Sequence, residues 1–189
     1  MSGLRVIAGS AKGRRLKRAP GDSTRPITDR VKESLFNILG EDIEEANVLD
    51  LFAGTGGVGI EALSRGAAYA VFVESDRAAA NIIHANLQTT DLAQFARVIR
   101  SDVFIHLRNT PRNGEGFDYV HIAPPQYQVL WIKTLKLLDA RPDWVNPDGL
   151  VVAQIDPREY GEQALEHLKL VDQRKYGNTL LCFYERPVG

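Results

Sequence analysis

Apolar positions along this chain change period several times, and the changes mark out its elements. Behind Thr28, a hydroxyl suited to an N-cap, Val31, Leu35, Ile38 and Leu39 recur at helical spacing until Gly40 stops the pattern. Val48, Leu49 and Leu51 then form a short run suited to a strand buried on both faces, with Asp50 near its carboxyl end. After the glycines of Gly54-Thr55-Gly56-Gly57, the positions Val58, Ile60, Leu63 and Arg65 lie on a helix that Gly66 ends. Further strands are predicted over 70–73, 97–100, 117–122 and 149–155, and helices over 76–87, 129–138 and 160–168. This alternation predicts a parallel sheet wrapped on both faces, with ligands in the crevice at the carboxyl ends of its strands.

Both ends of the chain break the alternation. Residues 170–176 and 179–185 are joined only by Gly177-Asn178, a tight hairpin turn, so one strand must be antiparallel. That feature is unusual in a dinucleotide-binding sheet and typical of methyltransferases that use S-adenosylmethionine. At the other end, residues 4–8 and 14–17 flank a turn bounded by Gly9 and Gly13 and read as a small hairpin. The expected fold is therefore α/β: a Rossmann-like, seven-stranded, mostly parallel sheet with an antiparallel C-terminal hairpin, plus a small basic N-terminal β-hairpin. Residues 1–27 form the arm and residues 28–189 the main domain.

Composition changes this picture in one respect. A chain of 189 residues with 44% hydrophobic content suits one core. Its net charge of −1 conceals an asymmetry: residues 1–37 hold nine Lys and Arg against three acids, net +6, leaving fourteen against twenty-one, net −7. A basic arm on an acidic body suits a polyanionic partner met on one side, and Arg5, Lys12, Arg14, Arg15 and Lys17 are its candidate phosphate contacts. The alternative for that charge is an edge protected from aggregation. No apolar run is long enough to span a bilayer and the first thirty residues are too polar for a signal peptide, so a cytoplasmic monomer without membrane association is expected. Cys182, alone in an apolar run, excludes a disulfide framework, and His84, His106, His121 and His167 are too scattered for a metal site.

The candidate chemistry gathers at the predicted strand ends. Gly54-Thr55-Gly56-Gly57-Val58-Gly59 matches the GxGxxG pattern of dinucleotide sites, and Glu74 lies fifteen residues further on. A pyrophosphate wants a helix start aimed at it, whereas S-adenosylmethionine carries an amine, a carboxylate and a sulfonium. Asp50, four residues before Gly54, fits the second ligand as a complement to its cationic end. Phe52, Ala53, Gly54, Thr55 and Gly56 would then pass beneath it, Glu74 would accept from the ribose hydroxyls, Asp102 from the adenine amino group, and the Val103 N–H would donate to the ring. The alternative for the acids is helix capping, for which Asp102 and Asp76 are also placed.

A strand running into Ala123-Pro124-Pro125-Gln126-Tyr127 resembles the (Asp/Asn)-Pro-Pro-(Tyr/Phe) motif of methyltransferases acting on exocyclic amines. Arg5-Val-Ile-Ala-Gly9, Lys12-Gly13-Arg14-Arg15-Leu16, the block from Thr24 to Asn37 and Asp50-Leu-Phe-Ala-Gly-Thr-Gly extend the likeness. Together they resemble the RsmD-type family, which methylates guanine N2 in bacterial 16S ribosomal RNA. The resemblance implies S-adenosylmethionine as cofactor, ribosomal RNA or a small-subunit assembly intermediate as partner, and a target guanine turned out of its stack. In that pattern the acidic or amide side chain and the first Pro carbonyl accept from the amine, and the aromatic residue stacks on the base. This chain departs twice: Ala123 has no acceptor, and Gln126 stands between Pro125 and Tyr127. Pro124 keeps its carbonyl and Gln126 is a candidate replacement acceptor, with His121 a weaker one; a lost acceptor costs about 10²- to 10³-fold in rate by analogy with oxyanion donors. Thr28 is a candidate for the cofactor carboxylate, and Arg25 and Arg30 for that carboxylate or for RNA. Two other readings stay open: a module that binds RNA and cofactor without turnover, and a nicotinamide oxidoreductase.

Overall fold

The structure, a computed structural model, describes residues 4–19, 26–111 and 114–189. Arg25 and the rest of 20–25 lie outside the described residues. Seven strands form one sheet: β1 (Asn47–Leu51), β2 (Tyr69–Glu74), β3 (Ala96–Arg100), β4 (Phe117–Ile122), β5 (Val145–Ile155), β6 (Lys169–Tyr176) and β7 (Thr179–Glu185). Their spatial order is β3-β2-β1-β4-β5-β7-β6. β1 to β5 run parallel, and β7 lies antiparallel to both β5 and β6, as the short Gly177-Asn178 connection requires. The chain winds outward from β1 to β3 and then crosses back to β4. The switch point of the sheet therefore falls between β1 and β4, where α/β folds open their ligand crevice.

Side chains alternate along each strand and divide the apolar residues into two cores. Val48, Phe72, Tyr119, Val152 and Phe183 face α1 (Asp29–Leu39), α2 (Gly57–Ser64) and α3 (Arg77–Thr89). Leu49, Val71, Val120, Val151 and Cys182 face α4 (Val103–Arg108) and α5 (Leu130–Ala140). Thr28 caps α1 by accepting from the Val31 N–H, and Asp76 caps α3 by accepting from Ala79.

The N-terminal segment folds back through a bridge between Arg5 and Arg15, with the Leu16 N–H on the Leu4 carbonyl and the Val6 N–H on Arg14. It lies against the first core. Leu4, Val6, Ala11 and Leu16 are buried there, and the Glu61 carboxylate accepts from the Ile7 and Ala8 N–H groups. Lys32, itself buried, donates to the Arg5 carbonyl and pairs with Glu61 at 3.4 Å. Gly9 has φ +84 and passes so close to α2 that a Cβ would lie 1.8 Å from the Ser64 carbonyl oxygen, so only glycine fits.

Two expectations fail locally. Residues 160–168 form no helix; a single 3-10 turn spans Pro157–Glu159 and the chain then runs extended to β6. The cause is Asp139 at the end of α5, whose carboxylate accepts from the Glu166, His167 and Leu168 N–H groups, while Tyr160 stacks on Trp131 at 6.3 Å. Conversely, the six residues of α4 form a helix that the sequence pattern did not mark, capped by Asp102.

Candidate active site

Strand β1 delivers Asp50 to the switch point almost fully buried, and its carboxyl accepts from the Gly59 N–H at 3.1 Å. Burial pushes its pKa up to about 8; the Gly59 bond opposes the shift, and nearby Glu74 adds to it. Such a carboxyl is ready to ionise beside a cation. Its position also decides what the loop can hold, since the first turn of α2, where a pyrophosphate would dock, is already occupied by an acid.

The loop itself is shaped by left-handed residues. Phe52 has φ 57, Gly54 φ 59 and Gly56, the N-cap of α2, φ 80. Nothing lies within 4 Å of a Cβ built on Gly54, so the surface above it is open, whereas one on Gly59 would lie 2.3 Å from the Phe72 ring. The third glycine of the motif thus serves helix-on-strand packing. Glu74 accepts from the Gly54 N–H at 2.8 Å and from the Asp76 N–H at 3.0 Å, which ties the loop to the end of β2. Asp102 accepts from the Phe104 and Ile105 N–H groups, so the capping alternative is realised, and Val103 opens α4 as a buried residue.

Two adjoining hollows occupy the switch point. The first lies over Asp50, Phe52, Ala53, Gly54 and Thr55. The second runs from Thr28 past Pro124 and Gln126 to Asn178 and Thr179 in the C-terminal hairpin. Pro26, Ala123 and Gln154 line both, so the two are compartments of one crevice. Gly56 stays beneath the loop, packed against Ile60, Phe72 and Ile83.

The segment leaving β4 is held differently. Tyr127, at φ 61, is 59% exposed, and its hydroxyl donates to Asp156 at 2.7 Å while its N–H donates to Glu159 at 2.6 Å. Arg158 contacts the Tyr127 hydroxyl, bonds Asp156 at 2.9 Å and sets its guanidinium 5.4 Å from the ring centroid. The hydrogen bonds from Arg158 hold the Asp156 carboxyl well below the usual carboxylate range. Gln126 is exposed on the turn, and Pro124 and Pro125 are half-buried. A further group was not evident from the sequence: Tyr119 OH lies 2.7 Å from His121 Nδ1, and His121 Nε2 lies 3.0 Å from Gln154 Oε1. His121 was already a candidate, and the further signal was Gln154, the lone polar residue in the apolar run 150–155.

Of the basic residues, Arg5 pairs with Asp29 at 2.9 Å, and Arg14 donates to the Thr89 carbonyl. Lys12, Arg15, Lys17 and Arg30 are exposed and make no ion pair among the described residues. No helix among the described residues is long and apolar enough to cross a membrane.

A parallel sheet with one reversed strand, a glycine loop guarded by a buried acid, and a Pro-Pro-Gln-Tyr exit from the fourth strand define a Rossmann-like methyltransferase. The chain belongs to the family described as Conserved hypothetical protein 95, whose model matches residues 4–185, and so to the RsmD-type group that its motifs resemble. It is 39% identical over 183 residues to the putative rRNA methyltransferase YlbH of Bacillus subtilis, covering 97% of this chain and 99% of that protein. The ribosomal RNA small subunit methyltransferase D of Escherichia coli is 38% identical over 153 residues, 80% of this chain and 74% of that protein. Among solved structures, the putative methyltransferase yhhF of Escherichia coli superposes with a TM-score of 0.87 at 33% identity, covering 98% and 99% of the two chains.

Proposed function

We propose that this protein transfers a methyl group from S-adenosylmethionine to guanine N2 of small-subunit ribosomal RNA, free or in an assembling particle. The observation that carries the reading is the shared crevice, in which Ala123 and Gln154 stand between the compartment over Asp50 and the compartment beside Pro124. The first compartment fits the cofactor: its floor is open above Gly54, and its one buried acid is pushed up to about 8, a state that a cationic amine would relieve. Asp50 and the loop from Phe52 to Thr55 hold the cofactor, with Gly56 shaping the turn beneath it and Glu74 and Asp102 using the lone pairs left free by their backbone bonds. S-adenosylmethionine bound there supplies a sulfonium methyl open to direct displacement by the amine, leaving a thioether.

The second compartment takes the base. An aromatic amine is a poor nucleophile because its lone pair is delocalised into the ring, so the site must fix its N–H groups and aim the nitrogen. The Pro124 carbonyl accepts one N–H, Gln126 is a nearby exposed acceptor, and Tyr127 offers its ring for stacking. Exposed Lys12, Arg15, Lys17 and Arg30, with Arg5 and Arg14, meet the phosphates at the rim, which begins at Leu4 and Pro26. Such RNA places the protein in the cytoplasm.

Radiolabelled cofactor is incubated with the protein and unmodified small-subunit RNA, and the RNA is digested to nucleosides. N2-methylguanosine is the expected product. A methyl on another atom sinks the guanine-N2 assignment, and cofactor binding without transfer points to the non-catalytic module that Ala123 suggests.

A further inference from the structure

Gln154 stands where the chain lacks a side chain. In the register of β4 on β5, Ile122 pairs with Ala153, so Ala123 and Gln154 follow side by side at the strand ends. Strand alternation puts both on the face that carries Asp50 and His121, and both line the two compartments. Nothing else on that face reaches the junction from β5.

The carboxamide is already oriented. His121 is completely buried, and burial lowers its pKa to about 4, so the ring is neutral and carries one proton. With the Tyr119 hydroxyl donating to Nδ1, Nε2–H donates to Gln154 Oε1, and the buried pair holds one end of the amide. A carboxamide oxygen has a second lone pair, and its NH2 has two donors. Both functions therefore remain for a ligand in the crevice.

An exocyclic amine beside a ring nitrogen presents a donor next to an acceptor, as guanine does at N2 and N3. A carboxamide meets that edge with its oxygen on the amine and its NH2 on the ring nitrogen. Gln126 offers the same group, but it is exposed on a turn, where ordering its side chain costs rotamer freedom that the His121 bond has already removed from Gln154. We propose that Gln154, oriented by His121 and Tyr119, receives the exocyclic amine of the target base in place of the acceptor that Ala123 lacks. This rests on the methyltransferase reading above. Gln154 touches the substrate, whereas His121 and Tyr119 are positioning residues.

The test compares the full-length protein with Gln154→Ala, Gln154→Met, Gln154→Glu and the double variant Gln154→Ala, Ala123→Asp. Single-turnover transfer to small-subunit RNA, affinity for S-adenosylhomocysteine and the unfolding midpoint are measured for each. Gln154→Met keeps the length of the stem and so covers a folding failure of Gln154→Ala. The expected result is a loss of about 10²-fold in single-turnover rate for both apolar variants, with cofactor affinity unchanged. Gln154→Glu, which keeps an acceptor, should retain more rate than either, and Ala123→Asp should recover at least about tenfold in the Gln154→Ala background. Rates within about threefold of wild type for the apolar variants, or a double variant no faster than Gln154→Ala, would overturn the inference alone. A wild-type protein that binds cofactor and transfers no methyl would overturn it together with the function it rests on.

Discussion

Around the glycine loop, position is set by backbone and burial: Asp50 sits on the Gly59 amide, Gly56 and Gly59 press against Phe72, and Glu74 holds the Gly54 amide. Across the switch point, Tyr127 is held by side chains on an exposed loop, through Asp156, Arg158 and Glu159. A backbone-built compartment tolerates little change, because each residue is fixed by its neighbours' main chain and by close packing. A compartment built from side chains can exchange one acceptor for another while the strands stay in place. That contrast accounts for where this chain keeps its family's pattern, at Asp50 to Gly56, and where it departs, at Ala123 and Gln126.

The largest effect should come from breaking the rigid half. Gly59→Ala drives a methyl to within 2.3 Å of a Phe72 ring that is itself fully buried, and a loss of about 3 kcal/mol in stability by urea titration is expected. Full stability in that variant would show that the rigid half yields as readily as the exposed one. Next comes Asp50→Ala, for which calorimetry should show S-adenosylhomocysteine binding weakened by about 2 kcal/mol, or roughly thirtyfold.

The same residue carries a pH signature. Its carboxyl titrates at about 8 in the folded chain and, in the unfolded chain, near an ordinary aspartate's value of about 3.9. Between these values the folded state holds the extra proton, so stability without ligand should fall as pH rises from about 4 to about 8. Asp50→Asn should flatten that part of the stability profile. Binding of the amine-bearing ligand should strengthen over the same window, as the carboxylate becomes available.

Smaller effects belong to the exposed half. Arg158→Ala leaves the Tyr127 hydroxyl on Asp156 alone and removes the cation from its ring, and a rise of a fewfold in KM for RNA with an unchanged unfolding midpoint is expected. At the rim, Lys12→Ala or Arg15→Ala should reduce the salt dependence of RNA binding by about 0.7 in slope each and weaken binding by about fourfold at moderate salt.

How much could be read in advance follows the same division. Strands β1, β2, β4 and the glycine loop were legible because burial on two faces writes continuous apolar runs and glycine marks the turns. Gly177-Asn178 gave the reversed strand for the same reason. Helix α4, at six residues, is too short to show a period, and residues 160–168 carry helix-forming side chains that Asp139 overrides from another element. The pairing of Tyr127 with Arg158 and of His121 with Gln154 spans more than thirty positions, so it emerges only once β4 lies beside β5.

The most direct measurement of the two-compartment account is a crystal structure of the full chain with S-adenosylhomocysteine. The ligand's amine is expected on Asp50, its chain over Gly54, and its sulfur facing Ala123 and Gln154 at the junction. A ligand bound elsewhere, or one whose sulfur turns away from Ala123, would contradict the account.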